Sequence, residues 1–177
     1  MTALVPPSPD RFEDWSAMIA EFRNEPGGPV YPHGSGLPPE PGPSGSRDEF
    51  DELLARAARF ADPAAELPEG FVHCDYLWIV DDAGALVGNL AIRHRLNDYL
   101  LAAGGHVGYA VRPSRRREGH ATAALGLSLD RCRELGIDRV LVTCEDDNLA
   151  SARTIESRGG VLEDVRDGKR RYWIALS

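Results

Sequence analysis

The sequence predicts an α/β fold in which helices flank a mixed, mostly antiparallel twisted sheet, and three observations carry that expectation. Apolar residues recur at helical spacing in two early segments, after which strand and helix patterns alternate to the end of the chain. Two turn signals, Asp81-Asp82-Ala83-Gly84 and Asp167-Gly168, each join a pair of strand-like runs as a hairpin. A helix-like run separates strand-like residues 106–111 from 139–144, so their connection is a crossover and the two strands are parallel neighbours. At 177 residues the chain is sized for a single domain, 1–177, with one well-buried core.

The elements follow in chain order. Ala3 to Val5 reads as a short edge strand stopped by Pro6 and Pro7. Asp10, with Glu13 three residues on, has the form of a capping box, and Phe12, Trp15, Ile19 and Phe22 make a helical apolar face. Residues 24–46, NEPGGPVYPHGSGLPPEPGPSGS, are rich in proline, glycine and serine. They predict a loop without regular structure, either a lid over a substrate or a slack linker. A second helix spans about Asp48 to Phe60 with Phe50, Leu53, Leu54, Ala57 and Ala58 inward, and Leu67 to Gly70 is a turn. Val72 to Val80 and Ala85 to Ile92 form the first hairpin, and a polar segment from Arg93 ends at Gly104-Gly105. His106 to Val111 is a strand. His120 to Leu135 is a helix with a slim face of Ala121, Ala124, Leu125, Ser128, Cys132 and Leu135, closed by Gly136. Arg139 to Cys144 is a strand, Leu149 to Arg158 a helix, and Val161 to Val165 with Arg171 to Leu176 the last hairpin.

Composition narrows the partners. The formal net charge is -8, from 28 acidic and 20 basic residues, so any basic cluster is local. That excludes the broad basic footprint of a nucleic-acid binder and favours a small phosphorylated ligand. Cys74, Cys132 and Cys144 lie in periodic apolar segments, as buried thiols of a reducing cytosol would, and neither they nor the five histidines have metal-site spacing. With no signal-like amino terminus and no long apolar run, the expectation is a soluble cytoplasmic protein without a membrane partner.

Chemistry concentrates in Val107 to Ala121, VGYAVRPSRRREGHA. Here a strand passes through a turn carrying Arg112, Arg115, Arg116 and Arg117 into a helix opened by Gly119. Free backbone N–H groups, a positive helix end and guanidinium groups then face one place, which suits a phosphate. No Gly-Lys-Ser/Thr follows and no GxGxxG is present, so neither a nucleotide P-loop nor a dinucleotide fingerprint explains it.

The segment Arg116-Arg117-Glu118-Gly119-His120-Ala121 resembles the coenzyme A pyrophosphate motif, (Gln/Arg)-x-x-Gly-x-(Gly/Ala), of the GCN5-related N-acetyltransferase (GNAT) family. Gly108 to Pro113 is similar to that family's fourth strand and its exit, Leu141 to Cys144 to the fifth, and Asn148 to Gly159 to the asparagine-led helix beside the pantetheine. Arg171-Tyr172-Trp173-Ile174 resembles the last strand of a bacterial subgroup of acetyltransferases. The resemblance implies parallel central strands splayed around an acyl-CoA cleft, with acetyl-CoA as cofactor. It implies that amides from Arg117 through Glu118, Gly119 and His120 to Ala121 hold the pyrophosphate, with Arg116 and either Arg112 or Arg115 near phosphates. The main chain of Tyr109, Ala110 and Val111 would pair with the pantetheine, and Asn148 would touch the cofactor or fix the gap between the splayed strands.

Acetyl transfer to an amine needs a group or water to take a proton and an N–H to steady the oxyanion. The resemblance places the oxyanion donor in the strand backbone around Val111 and the base, usually a glutamate, at His106, whose imidazole titrates near ~6.5. A packed structural histidine is the other reading. The family's thiol-protonating tyrosine falls at Ile155, which leaves Tyr109, Tyr99 or solvent for that role. Acceptor choice is expected from Asp75, Tyr76 and Trp78 and from Arg93, His94, Arg95 and Asn97, with Glu145, Asp146 and Asp147 as an attracting negative patch. The implied activity is acetyl transfer to the primary amine of a small molecule or amino-acid-like acceptor. Other readings are a protein amine, another acyl group, or an acyl-CoA-binding module without turnover. A homodimer is compatible with such folds, and the sequence selects no surface for it.

Overall fold

The computed structural model describes residues 1–26, 32–36 and 42–176. Seven strands form one sheet in the order β1-β2-β3-β4-β5-β7-β6: β1 (Ala3–Val5), β2 (Cys74–Val80), β3 (Leu86–Arg93), β4 (Val107–Val111), β5 (Arg139–Glu145), β6 (Val161–Arg166) and β7 (Lys169–Ala175). Every pairing is antiparallel except β4 with β5, the pair joined by the crossover through a helix. The mixed, mostly antiparallel sheet is therefore as the sequence predicts.

Four helices cover its two faces: α1 (Phe12–Arg23) and α2 (Arg47–Ala61) on one, α3 (His120–Glu134) and α4 (Leu149–Glu156) on the other. Alternation along β2 shows how one strand serves both layers. Trp78 and Val80 join Trp15, Met18, Ile19, Phe22, Phe50 and Leu53 beneath α1 and α2, whereas Leu77 and Ile79 pack with Ala124, Leu125, Leu129, Ala152 and Ile155 of α3 and α4. Trp78 is 1% exposed, with its ring stacked on Phe50 at 6.1 Å. A Trp78→Ala variant is expected to lose about 3–5 kcal/mol of stability in urea unfolding.

Two local expectations need correction, and one segment gains an element. Asp10 does not cap α1: Pro9 opens a short 3-10 turn, Pro9–Arg11, Ser8 Oγ donates to the Asp10 carboxylate, and α1 starts at Phe12 without a side-chain cap. α2 begins one residue before Asp48, where Ser46 caps it by accepting from Glu49 N–H, and Ala58 faces solvent rather than the core. The polar segment after Arg93, to which the sequence pattern assigns no element, contains one. Asn97 Oδ1 accepts from Leu100 N–H at 2.9 Å and starts a π-helical turn, Leu100–Gly104, that packs over β5 and β7 through Thr143 Oγ1 to Ala103 O and Arg171 Nη2 to Leu101 O.

The expected loop at 24–46 is described only at 24–26, 32–36 and 42–46, where it has no regular element. Its 32–36 part crosses the sheet on the α1/α2 side. Gly34 sits so close to the strands that a β-carbon there would stand 2.4 Å from Gly108 O and 2.9 Å from Ala91 N, and its φ of +76° also calls for glycine. Gly36 lies against the Tyr76 ring in the same way. No helix among the described residues is long and apolar enough to cross a membrane.

Candidate active site

The parallel pair is barely a pair. Val107 opposite Val142 is the one register position that β4 and β5 share, and beyond it the strands part. His106 builds the vertex: its N–H donates to Leu141 O at 2.7 Å, and its Nδ1 accepts from Leu141 N–H at 2.9 Å. The imidazole thus substitutes for a carbonyl in the ladder, and above it the splay opens.

What the splay exposes follows from ladder geometry. Arg112 N–H donates to Val87 O and Arg93 N–H to His106 O at the two ends of the antiparallel β3–β4 ladder. Hydrogen-bonding edges alternate along such a ladder, so Gly108 and Ala110 turn theirs to β3. Tyr109 and Val111 turn theirs the other way, into the gap before β5. Of the three residues expected to pair with a pantetheine, Tyr109 therefore has an open amide edge and Val111 an open N–H, its carbonyl being taken by Arg116 Nε, while the main chain of Ala110 is already engaged by β3.

The arginine turn lies at the carboxyl end of β4. Gly119 precedes α3 with φ +84°, and a β-carbon on it would meet no protein atom within 4 Å. It supplies no capping side chain, and the first helical bond is Ala123 N–H to Gly119 O. The amides of His120, Ala121 and Thr122 consequently have no acceptor within the helix and point out of its positive end. His120 itself is buried, with Nδ1 on Thr2 Oγ1 at 2.9 Å and Nε2 on Glu118 at 3.2 Å, so only its main chain is available. A cleft of about 860 Å³ starts at Glu118, Gly119 and His120 and runs along α3 past Gly126 to Arg158.

The four arginines divide by task. Arg112 is bound to Glu21, donates to Leu86 O at 3.0 Å and lies 3.6 Å from Asp14, which ties the β4 exit to α1. Burial raises the Glu21 carboxyl pKa, and the Arg112 and Ser114 hydrogen bonds more than reverse it, leaving it below its ordinary value. Arg115 pairs with Asp81 and Glu118, both at 2.9 Å. Arg116 donates from Nε to Val111 O at 3.1 Å and places both Nη atoms on the Glu25 carboxylate. Arg117, with φ +65°, is exposed and makes no ion pair among the described residues.

Tyr109 projects to the α4 side of the splay, where its hydroxyl meets Ser151 Oγ at 3.0 Å. Burial pushes the phenol up to about 12, so it stays a proton donor through the neutral range. Ser151 N–H donates to Asn148 Oδ1 at 3.1 Å, and Asn148 thus caps α4 from an exposed position. Ile155, one turn further, is fully buried in the core. Cys144 is buried beside these groups with its thiol raised by burial, the condition of an unreactive cysteine.

On the α1/α2 side the structure keeps some expected acceptor residues together and disperses others. Tyr76 lies under Gly36, and Arg93 lies beside Gly108 with Nη1 on Gly104 O at 3.0 Å. Trp78 is core. Asp75 belongs to the opposite face of β2, held by His94 Nε2 at 2.8 Å and Arg131 Nε at 2.9 Å. Asn97 staples its loop to Gly70 O, and Arg95 is exposed. The acidic patch is partly neutralised, since Glu145 pairs with Lys169 and Asp146 with Arg170.

The structure engages the ring of His106, the expected base, in the strand ladder. It is 7% exposed, its ring meets Trp173 edge-on, and a base needs a free lone pair. Nδ1 spends its lone pair on Leu141 N–H, which puts the proton of the neutral ring on Nε2. Burial, and then Arg93, lower its pKa to about 4. Four further residues bear on the site: Glu21 and Glu25 on the arginine turn, Leu141 at the vertex and Ser151 on Tyr109. A signal for Glu21 was present, because Asp14 and Glu21 are seven apart along one flank of α1, whereas Glu25 lies beyond the helix end at Arg23.

Comparison with known proteins now has a geometry to refer to. A family model described as "Acetyltransferase (GNAT) domain" matches residues 3–161. No curated protein matches the chain. Among solved structures, Mycobacterium smegmatis RimJ in complex with CoA-disulfide is 20% identical with a TM-score of 0.71, over 99% of this chain and 82% of that one. Spermidine N-acetyltransferase from Vibrio cholerae, in complex with CoA and spermine, is 15% identical with a TM-score of 0.62, over 98% and 95%. The GNAT domain of S. lividans PAT is 14% identical with a TM-score of 0.61, over 99% and 90%. At these identities the likeness is one of fold.

Proposed function

We propose that this chain, which belongs to the GNAT acetyltransferase family, transfers an acetyl group from acetyl-CoA to the primary amine of a small molecule. One observation carries the reading: the splay of β4 from β5 leaves the Tyr109 amide edge and the Val111 N–H open beside a turn whose Gly119 leaves room for a ligand.

The residues present fit that cofactor. Tyr109 and Val111 would hold the pantetheine amides as an added strand does. His120, Ala121 and Thr122 N–H groups, Arg117 and Arg116 would hold phosphates by charge-assisted hydrogen bonds. When bound, the cofactor supplies an activated acyl thioester. Within the chain, the open N–H groups of β4 are fixed donors for negative charge on an acyl oxygen. Tyr109 Oη, kept protonated by burial and oriented by Ser151 Oγ, would be the proton donor to the departing sulfur. The strap at 32–36, seated on Gly108, roofs the α1/α2 side of β3 and β4, which suits a slim amine better than the surface of a folded protein.

His106's committed lone pair favours a second reading, a module that binds acyl-CoA without turnover. Thiol release from acetyl-CoA, followed across a panel of small amines and peptides, separates the two. Turnover with a small amine is expected, and saturable binding with no thiol released for any amine would show the binding module instead. Tyr109→Phe is expected to keep acetyl-CoA affinity and lower kcat by about tenfold to a hundredfold. An unchanged kcat would take the hydroxyl out of the reaction.

A further inference from the structure

Glu21 of α1 and Glu25, two residues past its end, hold the arginine turn in different ways. Glu21 is embedded: it receives Arg112 and also the Ser114 N–H at 3.1 Å. Among the described residues Glu25 has Arg116 alone. That pair is a bidentate fork, with Nη2 to Oε2 at 2.8 Å, and its arginine is the more exposed of the two, 42% against 14% for Arg112, while the Glu25 side chain is 19% exposed and that of Glu21 29%. The same guanidinium is anchored by Nε to Val111 O, on the residue whose amide edge faces the splay. A planar carboxylate thus occupies the fork that a phosphate oxygen pair at this turn would use, since both anions take the same bidentate geometry.

We propose that Glu25 is a built-in competitor for the anionic cofactor, holding Arg116 in the free protein and giving it up to the cofactor's phosphates. The inference rests on the cofactor reading above and adds a cost to it: binding must break a fork that is already satisfied. Arg117, exposed and without an ion pair among the described residues, provides a first contact before that exchange.

The test is calorimetric titration of acetyl-CoA into the full chain and into Glu25→Gln, Arg116→Ala and the double variant, at one fixed ionic strength. Glu13→Gln, which removes one exposed carboxylate elsewhere on α1, controls for the overall negative charge. Glu25→Gln is expected to bind acetyl-CoA about two- to fivefold more tightly, the scale of an exposed ion pair. Glu13→Gln should leave affinity unchanged, and in the Arg116→Ala background the Glu25 substitution should bring no gain. Equal affinities of wild type and Glu25→Gln would overturn the competitor, as would weaker binding by Glu25→Gln, which would make Glu25 a support for Arg116 instead. A gain of the same size in Glu13→Gln would reduce the effect to bulk charge and overturn it too. Absence of acetyl-CoA binding by wild type and all variants would overturn the cofactor reading itself.

Discussion

His106→Ala is expected to lose stability and acetyl-CoA affinity together, whereas His106→Asn is expected to keep both and to turn over at a rate close to wild type. Alanine leaves the buried Leu141 N–H without an acceptor, which costs about 1–3 kcal/mol, and forfeits the ring's contact with Trp173. The vertex that sets where β4 and β5 part would relax, and the open edges of Tyr109 and Val111 would move with it. Asparagine restores an acceptor, Oδ1, near the position of Nδ1 and takes no proton in water. An active His106→Asn variant therefore cannot be reconciled with a histidine base. Equilibrium unfolding, titration of acetyl-CoA and initial rates on the three proteins make the comparison. A normal affinity with a collapsed kcat in both variants would restore the base and remove the pin.

The same residue makes stability depend on pH. In the unfolded chain the imidazole takes a proton near its ordinary 6.5, and in the folded protein only at about 4. The unfolded state thus binds the extra proton between those values, so stability is full above about pH 6.5 and declines as pH falls toward 4. At about 1.4 kcal/mol per pH unit the loss amounts to about 3 kcal/mol. His106→Asn should lack this component, so the stability gap between the two proteins should change across that window and stay constant above it.

Gly119→Val is expected to abolish measurable acetyl-CoA binding, and Gly119→Ala to weaken it by about tenfold to a hundredfold, the worth of one or two charge-assisted hydrogen bonds. A β-carbon here meets no protein atom within 4 Å, so alanine costs the free protein only the strain of a left-handed residue, about 1–2 kcal/mol. What it obstructs is whatever approaches the free amides of His120 to Thr122 from outside. Gly136, with φ +73° and equally open space, closes the other end of α3. Gly136→Ala should lose similar stability and no affinity. Equal affinity losses at the two glycines would mean that only helix strain had been measured, and the phosphate cradle would fall.

The sequence carried the order of the elements, the single parallel pair and the arginine turn, because each depends on local periodicity or on a short motif. Faces and partners were less legible. Asp75, Tyr76 and Trp78 stand next to one another in the chain, yet strand alternation sends Asp75 to Arg131 on α3 and its two companions to the α1/α2 side. His106 could not be told apart as base or pin, since that depends on Leu141, thirty-five residues away, presenting its N–H to the ring. Asp10 looked like a cap until Pro9 claimed the preceding turn. The arginines read as a phosphate site, and three of the four are neutralised by carboxylates: Glu21 of α1, Asp81 of the β2–β3 turn with Glu118, and Glu25 just past the end of α1. Such pairings are set by tertiary packing, which short-range pattern does not encode.

The central claim is that one ligand bridges the open edge of β4 and the amino-terminal turn of α3. Titrating acetyl-CoA while following backbone amides by NMR addresses it directly. Saturable shifts at Tyr109, Val111, His120 and Ala121, with Asp75 and His94, which sit beside Arg131 in the last turn of α3, unmoved, are the expected result. Saturable binding that leaves Tyr109 and Val111 unshifted would contradict it.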